Sequence, residues 1–408
     1  LTLSPIVCNI VQASEDGFLE ELGRIGEAQV TALSSTPPVM AALQAWCELF
    51  LPPQQTLRGS DGGEWALERE FTYDVFLSCL RATPKGKAVG AGGFSIELLM
   101  QADDETKISF YEAMMQDIDS KDFDANWRRV LYVLLVKPAP NDPARVSDRR
   151  EIALMSQEMK LMMQMVRGTA YRRLVERLAC EQTGWLAGYG ATDPALTLAL
   201  VIQQASRLQH PLYILYIDLA TFFPRIDRVA ARYVDLLTGL PPEVCELVEA
   251  VFPATQGASV ECQYDSAAGL GGAFSNHKGR LMGDVLAPDQ AKIFLNTVIC
   301  AIRAVAKGVT LWGCTEEDID GFVRTVMQAA YADDWVGVAS NVAEVRKFWA
   351  VWTTWELVSG SKLGIKGKLK TVVTGVTYVA GVAHDAPDPM LQYGGGYVEF
   401  MGCEELYK

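Results

Sequence analysis

Three histidines and nine cysteines with no C-x-x-C pair leave this chain poorly equipped for a zinc module. A disulfide scaffold fits no better, since such frameworks belong to short cysteine-dense chains. The compartment expected is therefore reducing and intracellular. Long apolar runs are missing as well: the longest clean one, 130–136, falls far short of the ~20 residues that span a bilayer. No cationic start followed by an apolar stretch reads as a signal peptide, so neither a membrane partner nor secretion is expected. The first residue is Leu rather than Met, as expected of a fragment or processed product.

Disorder is excluded by composition. Half of the 408 residues are hydrophobic and 21% are charged, enough to bury a sizeable core. The net charge of −14 speaks against a polyanionic partner at first sight, but the charge is unevenly spread. Residues 1–72 carry ten acids against three arginines, a balance of −7. Residues 121–177 carry twelve Lys and Arg against seven Asp and Glu, a balance of +5, and 359–373 hold Lys362, Lys366, Lys368 and Lys370 with no acid.

Proline pairs at 37–38 and 52–53 break the start into two helical pieces, which reads as a helical, acidic N-terminal extension over 1–70. The glycine-rich stretch 85–93 (KGKAVGAGG) lacks the spacing of a phosphate-binding P-loop and reads as a flexible turn. Beyond Trp127 the pattern predicts a strand over 130–136, a polar loop to Arg150 and a long helix over 156–178. A buried strand over 212–217, an amphipathic helix from about Val229 and a helix over 285–304 follow. Two apolar runs, 326–331 and 335–339, flank a pair of Asp like the arms of a hairpin. The fold class read from this order is α+β.

Two features carry chemistry. Asp218 follows the apolar run 212–217, and a carboxylate just past the carboxyl end of a buried strand lies at a mouth. A helix N-cap or turn residue is the plainer alternative. Tyr331-Ala332-Asp333-Asp334 is either an ordinary hairpin turn or a cation site, since two adjacent carboxylates repel and Asn-Gly or Asp-Gly makes a less strained turn. Together they suit two-metal phosphoryl transfer: Mg²⁺ prefers hard oxygen ligands and takes only one or two carboxylates. Asp218 and Asp333 are the expected ligands. Asp334 ranks third, because successive side chains alternate in extended chain.

These residues resemble the reverse transcriptase family, closest to the non-LTR retrotransposon and group II intron enzymes. Asp218-Leu219-Ala220-Thr221-Phe222-Phe223 resembles the first palm motif, an Asp followed five positions later by an aromatic residue. Gly279-Arg280-Leu281-Met282-Gly283-Asp284-Val285-Leu286-Ala287-Pro288 is similar to G-x-x-Q-G-D-x-L-S-P, and Tyr331–Asp334 to the YxDD signature. Residues 362–371 resemble the Lys-containing motif, and Phe400-Met401-Gly402 the primer-gripping turn. Trp127, Lys137-Pro138 and Arg149-Arg150-Glu151-Ile152 fall where the fingers carry W…K-P…R-P-I. The stretch from Gln182 to Asp193 is similar to the one leading into the palm.

The resemblance implies right-hand polymerase fingers over 71–180 and a palm over 181–408, with a mixed helical and antiparallel-sheet palm and the thumb absent. It implies an RNA-directed DNA polymerase core of a mobile element, with two Mg²⁺ ions (or Mn²⁺ in their place), an RNA template, a DNA primer and dNTPs. Asp218, Asp333 and Asp334 would be catalytic and metal-binding. Lys137 and Arg150 would neutralise the triphosphate; solvated surface charges are the alternative. Phe223 would exclude a 2′-OH or is a core ring. Gly283 would let the backbone approach the template base pair, and Lys370, with Lys368 close behind, would sit by the pyrophosphate or in a solvated loop. Met282, Ala287 and Glu151 depart from the family's Gln, Ser and Pro. Two other readings stay open: a decayed or domesticated palm that binds RNA or partners without catalysis, and a polymerase that makes RNA. A chain ending without a thumb is also expected to extend primers poorly by itself.

Binding of primed RNA should rest on a few phosphate contacts from the two basic stretches. Fluorescence anisotropy with a labelled hybrid should show affinity falling about tenfold or more between 50 and 200 mM salt. Salt-insensitive binding would show that phosphate contacts are not what holds the nucleic acid.

Overall fold

The structure is a computed structural model that describes residues 38–90, 92–137, 149–253, 260–266, 269–270, 273–276, 279–310, 325–365 and 371–404. The chain is α+β, with mixed sheets. It groups into two compact units, one of Leu1–Pro52, Leu178–Phe222 and Leu295–Lys408, the other of Pro53–Arg177 and Phe223–Phe294.

The first unit is built on the strand Leu212–Ile217, whose LYILYI sequence is apolar on both faces. A strand of that kind needs cover on both sides, and it receives it. It pairs antiparallel with Asp334–Ala339 on one edge and Val372–Val379 on the other. The sheet continues to Gln328–Tyr331 beyond the first and to Val382–Asp385 beyond the second, while Glu399–Met401 runs parallel to Val372–Val379. On one face Leu212 and Ile214 join Val338 and Val376 under Val201 and Ala205 of the helix Thr192–Leu208. The helix Val342–Ser359 contacts the same central strand and Asp334–Ala339. Its Phe348 and Trp352 meet Trp335 edge-on, at ring centroids 5.8 and 5.2 Å apart. Alternation along each strand thus sorts the side chains between two helices.

The second unit holds a five-stranded sheet. Arg129–Val136 pairs antiparallel with Arg149–Leu154 and parallel with Val260–Ser266, which carries Gly269–Leu270 and Phe274–Asn276 as antiparallel neighbours. That parallel pairing joins segments of 53–177 and 223–294, which group into one unit. The helix Pro38–Phe50 packs on Val342–Ser359, and buried Trp46 donates its indole N–H to Thr297 O at 3.3 Å. Residues 1–37 lie outside the described residues.

The helix expected over 156–178 is interrupted. Ser156 caps Gln157–Val166 by accepting from Met159 N, a π-turn follows at Arg167–Tyr171, and a short helix at Arg172–Val175 ends the run. Tyr171, within the π-turn, is fully buried and donates its hydroxyl to Asp235 at 2.9 Å while accepting from Gln290 Nε2 at 2.9 Å. In the glycine-rich stretch, the Gly86 amide donates to the Glu97 carboxylate. Gly90 lies so close to the Met155 backbone that a Cβ would meet its carbonyl carbon at 2.4 Å, a packing reason for glycine there.

Burial pushes the Asp235 carboxyl up to about 7, against the opposing pull of the Arg280 charge and the Tyr171 hydrogen bond. An acid whose pKa is raised on folding adds stability that is complete below its unfolded value near 4 and lost as pH rises through about 7. Asp235→Asn should therefore flatten the fall in stability between pH 5 and 8, leaving the variant about 1–3 kcal/mol more stable than the parent at pH 8. Urea unfolding at several pH values measures this; an unchanged slope would show that Asp235 is not the titrating group.

Candidate active site

Asp218 follows the last residue of the central strand, and its backbone is fixed from both sides. Its amide donates to Thr371 Oγ1 at 3.1 Å, and its carbonyl accepts from Gly364 N at 2.8 Å. Ala220 N donates to Lys362 O at 2.8 Å, and Leu219 bridges Leu363 antiparallel. Thr371 N donates in turn to Gly364 O at 2.8 Å, so the segment resembling the Lys motif is closed at its base beside Asp218. Lys368 and Lys370 fall in 366–370, outside the described residues. The side chain of Thr371 is buried, and sequence reasoning gave it no role.

The carboxylate pair sits on a tight hairpin. Tyr331 pairs with Asp334, leaving Ala332 and Asp333 as a two-residue turn. Ala332 has φ of 60° and Asp333 is not among the residues of positive φ, which matches a type II′ turn. Glycine is the usual first residue there; an alanine stores about 1–3 kcal/mol of backbone strain.

Strand register brings the acids together. Trp335 pairs with Ile217, so Asp334 and Asp218 lie next to the last pair, at the same end of two adjacent strands. Val336 and Val338 share a face with Leu212 and Ile214, and the same alternation puts Asp334 and Asp218 on that face. Asp333 is a turn residue, so extended-chain alternation does not rank it ahead of Asp334. Asp218 and Asp333 are half-buried and Asp334 is exposed. Among the described residues no group of three or more His, Cys, Asp or Glu is placed to hold a metal ion. Carboxylate oxygens are the donor type that Mg²⁺ prefers, with waters and substrate phosphates completing its shell.

The remaining expected residues are placed as follows. Phe400 and Met401 lie on Glu399–Met401, paired with Val373 and Thr374, and Gly402 O accepts from Thr374 Oγ1 at 3.3 Å. The neighbouring Cys403 amide donates to Asp385, a bond that holds this carboxyl below its ordinary range. Four residues belong to the second unit. Lys137 is half-buried just past Arg129–Val136, and Arg150 is exposed and pairs with Leu135. Phe223 is half-buried, and its carbonyl accepts from Arg280 N at 2.8 Å. Gly283 has φ of 119°, and a Cβ there would meet Ala153 O at 2.5 Å. Packing within its own unit therefore already requires glycine at 283. Met282, in the family's Gln position, accepts from Ala153 N at 2.7 Å through its backbone carbonyl.

Thr371→Val removes the hydroxyl that satisfies the Asp218 amide while keeping the shape. The variant should lose about 1–3 kcal/mol in urea unfolding, the usual consequence of orphaning a buried donor. Stability equal to the parent would mean that Thr371 does not hold Asp218.

Among the described residues no helix is long and apolar enough to cross a membrane. The chain matches no protein-family model and no curated protein.

Proposed function

We propose that the chain is the core of an RNA-directed DNA polymerase of a mobile element, a nucleotidyltransferase that adds deoxynucleotides to a primer 3′-OH on an RNA template. One observation carries the reading. Two acids 115 residues apart in sequence, Asp218 and Asp333, come with Asp334 to the same end of one sheet (333 − 218). The ordered series of motifs that resembles reverse transcriptases supports it, with no similar curated protein beside it.

Asp218, Asp333 and Asp334 would hold two Mg²⁺ ions. Bound there, the ions would lower the pKa of the attacking 3′-hydroxyl and neutralise the departing pyrophosphate. In the reaction the 3′-oxygen forms a bond to the α-phosphorus, the bond from that phosphorus to the bridging oxygen of the β-phosphate breaks, and the hydroxyl proton passes to solvent. The residues' part is positional. Thr371 and Gly364 fix the backbone of Asp218, and the hairpin presents Asp333 and Asp334 opposite it. These carboxylates would meet phosphate oxygens only through the bound cations, since the two anions repel each other.

The second reading, a palm that binds without catalysis, is favoured by Met282 and the charge of −14. Single-nucleotide incorporation on a primed RNA separates the two. The parent chain should add dNTPs in preference to rNTPs, and Asp333→Asn should reduce incorporation about a hundredfold or more with an unchanged circular dichroism spectrum. Binding without incorporation in the parent would favour the second reading; full activity in the variant would sink the site.

A further inference from the structure

The turn that carries Asp333 is held from behind by one side chain. Gln182 is 2% exposed, and its amide bonds the turn twice: Nε2 donates to Ala332 O at 2.8 Å, and Oε1 accepts from Ala332 N at 3.1 Å. Oε1 also accepts from Gly184 N at 3.0 Å. The opposite amide orientation would set an NH₂ against two N–H donors, so the network admits only one.

The backbone on either side reinforces this grip. Ala330 N donates to Glu181 O at 2.8 Å and Thr183 N donates to Ala330 O at 3.0 Å, so residues 181–183 form a short parallel strap along Gln328–Tyr331. Arg303 pairs with Glu181 at the outer end of the strap. Gly184 lies directly against the turn: a Cβ there would meet Ala332 N at 2.1 Å. Beneath the turn a small cavity is lined by Gln182, Ala330, Ala332, Asp333 and Trp335. Meanwhile Ala332 occupies a left-handed conformation that alanine adopts only when its surroundings impose it.

We infer that Gln182 is a positioning residue: it imposes the type II′ turn at Ala332 and so sets where Asp333 and Asp334 stand relative to Asp218. This rests on the metal-dependent reading above, in that the position matters because the acids share a cation. Without the amide, Ala332 would relax out of the left-handed region, a different turn would form and Asp333 would move. Glycine at 332 adopts the same turn unaided. The two substitutions are therefore coupled, as those at a merely stabilising contact would not be.

The test uses the full chain and Mn²⁺ alone, titrated by electron paramagnetic resonance, with hydrogen exchange at residues 330–334 as a second readout. Gln182→Leu should weaken Mn²⁺ binding about tenfold or more, the scale of an outer-sphere loss, and speed exchange in the turn. Adding Ala332→Gly should restore most of the affinity. Gln182→Glu, which keeps the acceptor and loses the donor, should fall between and serves if the leucine variant does not fold. Unchanged exchange and affinity in both Gln182 variants would overturn the inference, as would an affinity loss that Ala332→Gly leaves untouched. Asp218→Asn separates this from the broader reading. If it leaves Mn²⁺ binding intact, the metal-dependent reading fails and the positioning role with it, while faster exchange in Gln182→Leu would still locate a purely structural clamp.

Discussion

Everything at the candidate site depends on the pairing of one strand. Leu212–Ile217 is apolar on both faces and so must lie inside a sheet covered by helices, with partners on both edges. Its register is strongly specified, because a slip of one residue would turn Leu212 and Ile214 out of the cluster under Thr192–Leu208. The same register brings Asp218 and Asp334 to one end of the sheet. Packing of the core and placement of the acids are thus one constraint seen at two ends of a strand.

Around that constraint, polar groups are fixed through backbone more than through side-chain pairs. Thr371 and Gly364 hold the main chain of Asp218, and Gln182 holds the main chain of Ala332. Neither arrangement uses the carboxylates themselves. On the proposed reading, such a division would let the acids exchange waters and substrate oxygens while their Cα positions stay put.

Much of this was legible from the sequence, for identifiable reasons. The strand Leu212–Ile217, the hairpin around the Asp pair and the helix start near Val229 follow from local apolar pattern and turn chemistry, and each lies within a residue or two of its expected place. The parallel pairing of Arg129–Val136 with Val260–Ser266 was not legible, because it joins segments more than a hundred residues apart. The π-turn at Arg167–Tyr171 gives no periodic signal either. Gln182 stood within a recognisable stretch, but nothing in that stretch says that its amide reaches residue 332. Thr371 looked like any strand-edge threonine.

Localised backbone cleavage tests the central claim, that one cation position is shared by acids far apart in the chain. Fe²⁺ replacing Mg²⁺, with ascorbate and peroxide, generates hydroxyl radicals that cut only the nearby main chain. Two sets of cuts, around 218 and around 331–334, appearing together and suppressed together by excess Mg²⁺, are the predicted result. Cuts at one set without the other, or at neither, would contradict the shared site.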